Sequence, residues 1–546
     1  MPGIKPEKMN IVQLALSGDY DSTLPVLIDA EEPTRFVSKE KALRLIASLT
    51  GAFDEDTTVC LNIPNDVTYP LLMMAIWTSR CRWTGVNPSY KAFDLAHHFR
   101  ISETKYVITC EEQLEKVEEA VTASGQEIQI IIFTDILDTR RSSEQTACGV
   151  HRGHRHDSVS TKHVYLRQLQ RSRSTAQLTK AINKIDANSI AALASTSGTT
   201  GAPKMAARTH KSHVLESLST ADDHDAKPYA VRRLFCTPIF HSFSTGEMVI
   251  NSLRFGQPTY YLKRYDEELF PKAVGDYKIT ETFAPPALIL KLVENPKAHS
   301  QIQPLRNIYC GGAPLVPELR ARLNAIYARN PNGPPRITQV YGMTEGGWFT
   351  TFKYSDPDTT NSVGRPIPGY EFRVVEQAGY KSFEGLTTGE LLVRSPMLMS
   401  KYLGNPQATL DSYEDDDNGE VSDWLKTGDV GYVHPSTGKI YIIDRCKDLI
   451  KVNGWQVSPT ELENALMTVS GVLDAGVVGA GTDTNEHPVA FVVRANSGVT
   501  QGLLKEKLRE KLASYKVAAL EVRFMESLPK SITGKILKVE LRKLCG

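Results

Sequence analysis

A short apolar segment that runs directly into a loop of small residues restricts the fold of this chain more than any other feature. Residues 190–194 (IAALA) are followed without a break by residues 195–204 (STSGTTGAPK). Short apolar runs bounded by glycine favour buried strands. Serine, threonine and glycine offer hydroxyls and closely approachable backbone N–H groups, which suit polyphosphate. The pattern therefore predicts a phosphate-binding loop at the end of a strand.

Two other interpretations of this loop compete with the first. A P-loop needs G-x-x-x-x-G-K-[ST], with a hydroxyl after the lysine to hold magnesium. Here Pro203 precedes Lys204 and Met205 follows it, and no other segment of the sequence matches that motif. A flexible Ser/Gly linker is the second alternative. The strand-like entry and the Pro-Lys ending argue against a linker.

Apolar strand candidates alternate with helical stretches through much of the chain. Residues 58–63 (TVCLNI) and 128–133 (IQIIIF) are two further examples. Such alternation is typical of an α/β architecture. Domains average roughly 150 residues, so a chain of 546 residues predicts three or four domain-sized units.

One helix start near the end of the chain is unusually clear. Ser458 suits an N-cap, Pro459 suits the first helical position, and Glu461 stands where a capping box needs it. Two apolar sets recur at helical spacing and predict amphipathic helices, namely Leu462, Ala465 and Leu466, then Leu504, Leu508 and Leu512. These features predict a compact terminal module of about 100 residues that begins near Asp444.

The charge balance restricts the classes of partner. There are 63 lysine and arginine residues against 63 aspartate and glutamate residues, so the formal net charge is zero. A neutral chain gives no reason to expect nucleic acid or an anionic membrane as partner, and any phosphate binding must be local. The apolar content of 41% and charged content of 23% are ordinary for a soluble globular protein.

The cysteines and the two ends of the sequence bear on the compartment. The eight cysteines are scattered and include no C-x-x-C pair, which argues against a disulfide framework and a zinc site and favours a reducing compartment. The first residues contain no apolar signal segment, and no stretch approaches the ~20 apolar residues of a membrane span. The last residues (LCG) are not the peroxisomal signal SKL. We therefore expect a soluble cytoplasmic enzyme.

Two polar stretches are predicted to be solvated loops. Residues 139–180 contain few apolar residues, many basic ones, and the three histidines His151, His154 and His156. A metal site is the alternative, but no carboxylate or cysteine accompanies these histidines at a familiar spacing, so we favour the loop. Residues 414–420 (EDDDNGE) are predicted to form a solvated turn rather than a cation site.

Six motifs follow one another in order along the chain. They are residues 195–204 (STSGTTGAPK), 309–314 (YCGGAP), 341–345 (YGMTE), 427–429 (TGD), 444–455 (DRCKDLIKVNGW) and 529–535 (PKSITGK). In this order they resemble the acyl-adenylate-forming (AMP-binding) superfamily, which includes acyl-CoA synthetases, nonribosomal adenylation domains and firefly luciferases. The pattern looks closest to the coumarate–CoA ligase and luciferase branch.

The resemblance implies a fold and a reaction. The implied α/β fold has a large N-terminal domain, residues 1–443, of layered α/β subdomains plus a small β-barrel-like subdomain. A hinge at 444–447 and a small mobile α+β lid domain at 448–546 follow. The implied enzyme uses ATP to convert a carboxylic acid into acyl-AMP with release of pyrophosphate, and a thiol then displaces AMP. The implied cofactors are ATP, Mg²⁺ and CoA or phosphopantetheine.

The resemblance also assigns roles to residues that would bind the nucleotide. Tyr341 offers an aromatic face to adenine, Thr344 binds the α-phosphate, and Glu345 is the expected Mg²⁺ ligand. Asp429 accepts hydrogen bonds from both ribose hydroxyls, with Arg445 nearby. The complete implied binding set is Ser195, Thr196, Ser197, Gly198, Thr199, Thr200, Gly201, Lys204, Gly312, Ala313, Pro314, Tyr341, Gly342, Asp429 and Arg445.

Three lysines receive roles from the same resemblance. Lys535 is assigned to the carboxylate–α-phosphate junction, where a cation offsets the charge that develops as pyrophosphate leaves. Thr344, Glu345, Lys451 and Lys535 make up the implied catalytic set. Lys447 matches the hinge position, where family members carry aspartate or lysine, and is the expected pivot for reorientation of the small domain.

Residues 238–243 (PIFHSF) resemble the segment that lines the acyl pocket in this family. Amino-acid-activating relatives place an aspartate after the phenylalanine, whereas here His241 stands in that place, which disfavours an α-amino acid. His241, Phe243, Phe283 and Gly311, with its neighbour Gly312, suggest an apolar or aromatic pocket for an aryl or fatty acid. Each of these residues has a plain core position as its alternative.

Two functions from other classes stay open beside the CoA ligase. One alternative is a stand-alone enzyme that loads the phosphopantetheine arm of a carrier protein. That carrier would be a separate chain, since no carrier domain follows Gly546. The other alternative is a catalytically silent relative that only binds nucleotide. The presence of Glu345, Asp429, Lys447 and Lys535 argues against it. A hydrolase is disfavoured because the sequence has no G-x-S-x-G nucleophile elbow. The oligomeric state is left open between monomer and homodimer.

Overall fold

The structure is a computed structural model of the chain. It describes residues 5–137, 163–196, 203–221, 227–356, 358–376, 386–416, 418–452, 455–481, 486–530 and 535–545. The chain forms two compact units. The first unit contains Met1–Phe283, Met343–Gly347 and Pro396–Thr409, and the second contains Ala284–Gly342, Trp348–Ser395 and Leu410–Gly546.

Short strands and helices alternate from the start of the described chain to residue 283. The strands are β1 Leu27–Asp29, β2 Phe36–Val37, β3 Thr58–Asn62, β4 Arg82–Gly85, β5 Thr104–Thr109, β6 Gln129–Ile132, β7 Val164–Tyr165, β8 Ile190–Ser195, β9 Met205–Thr209, β10 Arg233–Phe235, β11 Thr259–Tyr261 and β12 Glu281–Phe283. The helices are α1 Ile11–Ala15, α2 Lys39–Leu49, α3 Tyr69–Thr78, α4 Ala92–Ser102, α5 Leu114–Ser124, α6 Thr175–Ile182, α7 His210–Thr220, α8 Ser242–Thr245, α9 Ser252–Phe255 and α10 Leu269–Asp276. A π-helical segment, Gly246–Asn251, joins α8 to α9.

The later part of the chain is richer in strands. Its strands are β13 Asn307–Gly311, β14 Arg336–Met343, β15 Gly347–Thr351, β16 Arg365–Pro366, β17 Glu371–Val375, β18 Gly389–Arg394, β19 Lys401–Tyr402, β20 Tyr413–Asp415, β21 Val421–Val433, β22 Ile440–Arg445, β23 Ile450–Val452, β24 Trp455–Val457, β25 Val472–Ala480, β26 His487–Arg494 and β27 Glu521–Met525. Its helices are α11 Pro286–Glu294, α12 Pro317–Ile326, α13 Pro406–Asp411, α14 Pro459–Met467, α15 Gln501–Arg509, α16 Ser514–Ala518 and α17 Lys538–Lys543.

An eight-stranded sheet in the first unit has the strand order β19-β9-β8-β4-β3-β5-β6-β7. Neighbours from β8 to β7 run parallel, whereas β9 is antiparallel to β8 and to β19. Every residue of β3 is buried, as expected for a parallel strand covered on both faces. Helix α3 is also buried on every side, because its residues are apolar all round.

A second sheet in the first unit carries the strands β12-β10-β11-β1-β2. In this sheet Arg233 on β10 pairs in register with Glu281 on β12. Arg233 Nε donates to Glu281 Oε2 at 3.2 Å, and Lys227 Nζ donates to Glu281 Oε1 at 2.5 Å. All three side chains are at most 1% exposed. Two buried cations therefore share the Glu281 carboxylate, and Glu247 Oε2 also lies 3.6 Å from Arg233 Nη1.

The second unit contains smaller sheets. Strands β13 and β14 are parallel, and β15 and β16 are antiparallel. A five-stranded antiparallel sheet has the order β17-β18-β21-β20, and β22 also pairs with β21. The pairing of β21 with β22 brings Asp429 opposite Arg445. Backbone register thus joins residues from two of the sequence motifs.

The C-terminal part of the second unit has its own apolar core. Strands β25, β26 and β27 form a three-stranded sheet, and helices α14 and α15 contribute the buried side chains Leu462, Leu466, Leu504 and Leu508 to the cluster. Leu512, predicted on the second amphipathic helix, lies beyond the end of α15 and is only partly buried. The apolar periodicity therefore identified both helices, but extended the second too far.

The predicted start of α14 is confirmed, with one correction. Ser458 is the N-cap, and its Oγ accepts from the Glu461 N–H at 3.1 Å. Glu461 does not complete a capping box, because its carboxylate accepts from Lys516 Nζ at 2.7 Å. Asp444, the penultimate residue of β22, instead accepts from the Ser458 hydroxyl and from the Thr460 N–H at 2.9 Å. The helix start is thereby attached to the end of a strand.

The predicted α/β class with a small C-terminal α+β region is confirmed, but two predicted loops are partly wrong. Of residues 139–180, those described form β7, a 3-10 helix at Leu166–Leu169 and the beginning of α6, whereas residues 138–162 lie outside the described part. Of residues 414–420, the first two belong to β20, and Asp416 accepts from the N–H groups of Asn418 and Glu420 in the following turn. Partly exposed strand and helix faces carry polar side chains here, so polarity alone does not distinguish these segments from loops.

Among the described residues, no helix combines the length and the apolar character needed to cross a bilayer.

Candidate active site

The loop of small residues begins where β8 ends. Ser195 is the last residue of β8, followed by Thr196, whose N–H donates to the Lys204 carbonyl at 2.9 Å. The Lys204 N–H in turn donates to Thr196 Oγ1 at 3.1 Å. Two hydrogen bonds therefore close the base of the loop. The other predicted phosphate-binding residues, Ser197, Gly198, Thr199, Thr200 and Gly201, lie outside the described residues.

Glu345 and Lys204 meet at one aromatic ring in the first unit. Glu345 is only 7% exposed, and its Oε1 accepts from the Tyr402 hydroxyl at 2.6 Å. Lys204 Nζ lies over the Tyr402 ring, 4.7 Å from the centroid. The fold thereby brings the loop lysine and the predicted metal ligand to the same neighbour. Thr344, next to Glu345, lines a small cavity in the same unit.

The predicted acyl-pocket segment starts a short helix. His241 is the N-cap of α8, and its Nδ1 accepts from the Phe243 N–H at 3.3 Å. The Phe243 ring packs edge-on against Phe283, with centroids 5.8 Å apart. Phe283 is fully buried and stacks on Phe235 at 4.7 Å. The structure thus brings the three predicted residues of the first unit together, with Phe283 as part of the core.

The YCGGAP motif of the second unit ends a strand. Gly311 is the last residue of β13 and is buried. Gly312 follows with φ of 84°, a left-handed conformation that glycine adopts without strain. Gly312 and Pro314 are exposed and Ala313 is half-buried. These residues therefore present backbone groups at the carboxyl end of a parallel strand, where ligands of α/β folds usually bind.

Asp429 is the centre of a buried hydrogen-bond cluster in the second unit. It is 3% exposed; its Oδ2 accepts from the Tyr341 hydroxyl at 2.6 Å and its Oδ1 pairs with Arg445 Nε at 2.7 Å. Burial raises the pKa of Asp429, and Arg445 and Tyr341 oppose that rise. Burial and the nearby Asp429 raise the pKa of the Tyr341 phenol well above its ordinary value. These contacts hold the Asp429 carboxylate in place. Tyr341 and Gly342, near the end of β14, are half-buried and exposed, respectively.

Lys535 lies among charged side chains of the same unit. Burial is the largest influence and lowers the pKa of the Lys535 ammonium; Arg445 lowers it further, whereas Asp429 and Asp448 raise it. Lys535 in turn favours the ionised form of Asp429. The structure therefore brings the C-terminal motif and the TGD motif close enough to interact electrostatically.

Two family profiles match the chain. Residues 38–403 match the AMP-binding enzyme family, and residues 461–535 match the C-terminal domain of AMP-binding enzymes. The chain belongs to the AMP-binding enzyme family.

Named relatives of this AMP-binding enzyme are ligases. Acyl-CoA ligase M9 of Phoma sp. is 44% identical over 537 residues, which cover 98% of this chain and 95% of the relative. Phenylacetyl-CoA ligase epaB of Aspergillus niger is 32% identical, with 95% and 93% covered. The predicted class of acid–CoA ligase is thus confirmed.

Solved structures agree on the fold of the AMP-binding enzyme. The anthranilate CoA ligase AuaEII in complex with anthranoyl-AMP superposes with a TM-score of 0.79 at 19% identity, and the match covers 99% of each chain. At this identity the comparison concerns architecture alone. It supports the large layered α/β region and the small C-terminal region.

The remaining predicted lysines of the AMP-binding enzyme lie in the second unit. Lys451 is exposed on β23, and its backbone N–H donates to Glu486 Oε2 at 2.8 Å. Lys447 is exposed just after β22. The pKa of Lys447 is lowered to about 8. Loss of hydration is the largest cause, Asp448 opposes it, and the cations Arg445, Lys535 and Arg542 add to the lowering. Lys447 is therefore partly neutral at physiological pH.

We expect Lys447 of the AMP-binding enzyme to be acylated at an unusually low pH. Only the neutral amine is nucleophilic, and with a pKa of about 8 roughly half of the side chain is neutral at pH 8, against less than about 1% for an ordinary lysine of pKa 10.4. Short pulses of acetic anhydride between pH 6 and 10, followed by peptide mass spectrometry, give the midpoint. N-acetyl-lysine amide serves as the reference, and a Lys447 midpoint equal to the reference would contradict the prediction.

The side chains that could bind Mg²⁺ in the AMP-binding enzyme suit an ion that is also bound by substrate phosphates. Among the described residues there is no cluster of three or more histidine, cysteine, aspartate or glutamate side chains that suits a metal ion. The predicted metal ligand, Glu345, is a single buried carboxylate whose orientation is fixed by the Tyr402 hydroxyl. Mg²⁺ is commonly bound by one or two carboxylates together with substrate phosphates and water. The residues therefore fit a metal ion that arrives with a polyphosphate.

Some residues that sequence reasoning missed lie at these positions. Tyr402, which contacts both Glu345 and Lys204, belongs to none of the motifs and carries no pattern that marks it. Arg208 on β9 and His213 on α7, which line the same small cavity as Thr344, are more visible in the sequence. An arginine inside the small apolar run of β9 (MAART) and a histidine on the buried side of α7 are both unusual in core positions.

Proposed function

We propose that this AMP-binding enzyme is an ATP-dependent carboxylic acid–CoA ligase that works through an acyl-AMP intermediate. In the first step a carboxylate oxygen attacks the α-phosphorus of ATP, and the bond to pyrophosphate breaks. In the second step the thiolate of CoA attacks the acyl carbon, and AMP leaves. The observation that carries this proposal is the buried Asp429 carboxylate, bonded to Tyr341 and Arg445, with the Lys535 ammonium within electrostatic reach.

Asp429 and Tyr341 recognise the nucleoside in this proposal. An ionised carboxylate only accepts hydrogen bonds, so Asp429 suits two ribose hydroxyls. Burial raises the pKa of Asp429, and Arg445 at 2.7 Å opposes that rise and so favours the ionised form. Tyr341 is half-buried, and its hydroxyl is fixed on Asp429. The ring is therefore held in one orientation, which suits stacking on a base.

Lys535 stabilises the transition state of the first step. Negative charge moves onto the α-phosphate and the departing pyrophosphate as the carboxylate attacks, and a fixed cation stabilises that charge most strongly where water is scarce. Lys535 is half-buried, and this burial lowers the pKa of its ammonium. Lys535 interacts electrostatically with Asp429, which supports a role for Lys535 at the nucleotide rather than as an ordinary surface lysine.

A further set of residues is assigned to the phosphates. Thr196, Lys204 and the loop between them bind the β- and γ-phosphates in this proposal, and the hydrogen-bonded base of the loop gives it a defined start and end. Glu345 would hold Mg²⁺, which neutralises phosphate charge when bound. Thr344 donates to the α-phosphate.

The acid in this proposal is an aryl or fatty acid without an α-amino group. His241 occupies the place after Phe240 where an ammonium-binding aspartate would be needed. Phe243 and Phe283 present aromatic surface in contact with each other. The name of the relative phenylacetyl-CoA ligase epaB supports an aryl acid.

Pyrophosphate exchange with a panel of acids tests the proposal. Benzoic, phenylacetic, cinnamic and hexanoic acids are each incubated with the enzyme, ATP, Mg²⁺ and labelled pyrophosphate, with phenylalanine as the α-amino control. We expect exchange with at least one of the four acids and none with phenylalanine. An absence of exchange with all four acids contradicts the proposed function, and exchange driven by phenylalanine alone contradicts the proposed acid class.

The thiol acceptor is identified in a separate reaction. Mass spectrometry of a complete reaction with CoA should show the acyl-CoA thioester, with AMP formed in equal amount. Product formed only when a phosphopantetheinylated carrier protein replaces CoA would contradict the choice of CoA and leave the first step of the proposal intact.

A further inference from the structure

The acyl-pocket segment around His241 is an irregular stretch between two regular elements. Strand β10 ends at Phe235 and helix α8 begins at Ser242, and residues 236–241 connect them. Such a stretch has no strand ladder of its own, so its backbone N–H and carbonyl groups need other partners when they are buried. Those partners determine how firmly the segment is held.

Asn65 is a side-chain partner of this segment. It follows β3 and is 6% exposed. Its Nδ2 donates to the Thr237 carbonyl at 2.9 Å, and its Oδ1 accepts from the Ile239 N–H at 3.0 Å. Nδ2 also donates to the Leu262 carbonyl at 3.2 Å. Both the donor and the acceptor of the amide are therefore used, and two of the three bonds hold the segment.

The Asn65 side chain joins strand ends from two sheets. Strand β3 belongs to the eight-stranded sheet, whereas Thr237 and Leu262 follow β10 and β11 of the second sheet in the same unit. Strands β10 and β11 are parallel, and ligands of α/β folds usually bind at the carboxyl ends of parallel strands. Asn65 thus sets the segment against a neighbouring sheet at a ligand-binding edge.

The loop that carries Asn65 is itself fixed. Asp66 Oδ1 accepts from the Thr68 N–H at 2.8 Å, and Asp66 Oδ2 pairs with Arg35 Nη2 at 2.9 Å. Arg35 also pairs with Asp29 on β1 at 3.1 Å. A side chain can hold another group in place only when its own support is rigid, and Asn65 meets this condition.

Two further contacts hold the same segment. Thr245 Oγ1 donates to the Ile239 carbonyl at 2.6 Å, so the segment is tied to the helix that follows it. A Cβ on Gly85, the last residue of β4, would come 2.5 Å from Phe240 Cβ, so the glycine lets Phe240 approach the strand. Thr245 acts locally, whereas Asn65 relates the segment to a distant part of the unit.

The position of the segment determines where the acyl-pocket side chains lie. His241 is the N-cap of α8, and its Nδ1 accepts from the Phe243 N–H at 3.3 Å. A shift of the backbone at Ile239 therefore moves His241 and Phe243 together. A misplacement of about 1 Å in groups that position a substrate can reduce the rate by about 100-fold.

We propose that Asn65 is a positioning residue for acid selection. It fixes the backbone between β10 and α8 and thereby places His241 and Phe243 against the acid. This inference rests on the proposed function, since it concerns the acid that the enzyme activates. It adds a determinant that lies outside the six sequence motifs.

Asn65→Ala tests this inference in pyrophosphate exchange. The kcat and KM are measured for ATP and for the best and next-best acids of the panel named above. The variant removes one partner from the Thr237 carbonyl and from the Ile239 N–H, so the segment is less well held. We expect kcat/KM for the best acid to fall roughly 10- to 100-fold. The ratio between the two acids should move towards one, and the KM for ATP should stay unchanged.

A milder variant, Asn65→Ser, serves if the alanine variant does not fold. The shorter side chain leaves room for a water molecule, which can replace part of the hydrogen bonding. We expect the same direction of change in kcat/KM and in the acid ratio, but a smaller one. The midpoint of urea unfolding is measured for every variant.

Asn62→Ala is the matched control. Asn62 is the last residue of β3 and is fully buried. Its Nδ2 donates to Thr109 Oγ1 at 3.4 Å, a bond within the eight-stranded sheet. Asn62→Ala should lower the unfolding midpoint and leave the acid ratio and the KM for ATP unchanged. Loss of a buried amide is thereby separated from loss of positioning.

The outcomes separate this inference from the proposed function. Unchanged kcat/KM for the acids in a folded Asn65 variant overturns the inference and leaves the ligase intact. So does an equal loss for both acids accompanied by a raised KM for ATP, since that indicates a general structural role. A change of the acid ratio in Asn62→Ala equal to that in Asn65→Ala also overturns it. Exchange by the original enzyme with none of the acids overturns the proposed function, and the inference falls with it.

Discussion

Lys535→Ala is expected to lower acid-dependent pyrophosphate exchange by roughly 100- to 1,000-fold, the usual effect of removing one fixed group that stabilises developing charge. The side chain lies in a poorly hydrated place near Asp429, so water does not readily replace its charge. Thioester formation from chemically prepared acyl-AMP and CoA should change by less than about 10-fold, because that step no longer involves pyrophosphate departure. Exchange rates and thioester yields are measured on the same preparation.

The control for this variant is Lys543→Ala, since Lys543 is an exposed lysine that pairs with Glu540 on α17. It should leave both steps within about twofold of the original enzyme, as expected for an exposed ion pair. Equal impairment of both steps by Lys535→Ala would show that Lys535 acts generally on folding or nucleotide binding. In that case its assignment to the first step is wrong.

Glu281→Ala is expected to destabilise the protein by about 3–5 kcal/mol, the usual cost of removing one partner from a buried charge cluster. Glu281 accepts from Lys227 and Arg233, and none of the three side chains is more than 1% exposed. Without this carboxylate, Lys227 and Arg233 stay buried with one compensating charge fewer, although Glu247 Oε2 still lies 3.6 Å from Arg233 Nη1. The midpoint of urea unfolding, followed by tryptophan fluorescence, measures the loss.

A matched control is Asp276→Ala, which removes an exposed ion pair between Lys272 and Asp276 on α10. Exposed pairs contribute at most about 1 kcal/mol, so its unfolding midpoint should stay close to that of the original protein. Similar losses for Glu281→Ala and Asp276→Ala would contradict the importance of burial. The comparison also shows whether the strand that carries Phe283 depends on this cluster, because Glu281 begins the same strand.

Local patterns explain why much of the fold was predictable from the sequence. The apolar run at 190–194 forms β8 because it is short, small and followed by a loop. Ser458 and Pro459 mark the start of α14 because capping depends on neighbouring residues alone. The candidate site residues were predicted from ordered motifs, and the structure gives two of them, Asp429 and Arg445, paired positions on adjacent strands.

Long-range contacts explain what the sequence could not predict. Glu461 pairs with Lys516, 55 residues away, so the reciprocal half of the capping box is lost to a tertiary contact. Tyr402 reaches Glu345 across 57 residues without any motif to announce it. The cluster of Arg208, His213 and Glu216 at the small cavity requires both the register of β9 and the buried side of α7. Such contacts arise only once the layers are packed.

The attachment of α14 to Asp444 has an energetic consequence for any rotation about Lys447. Asp444 lies in the predicted hinge, yet it accepts hydrogen bonds from Ser458 and Thr460 at the helix start. A rotation that carries α14 away from β22 must break these bonds, each worth about 1.5–3 kcal/mol because one partner is charged. One such bond shifts a two-state population by roughly 10- to 150-fold. If the C-terminal region rotates about Lys447 as the sequence predicts, these two hydrogen bonds oppose the separation of α14 from β22, and a ligand must compensate for their loss.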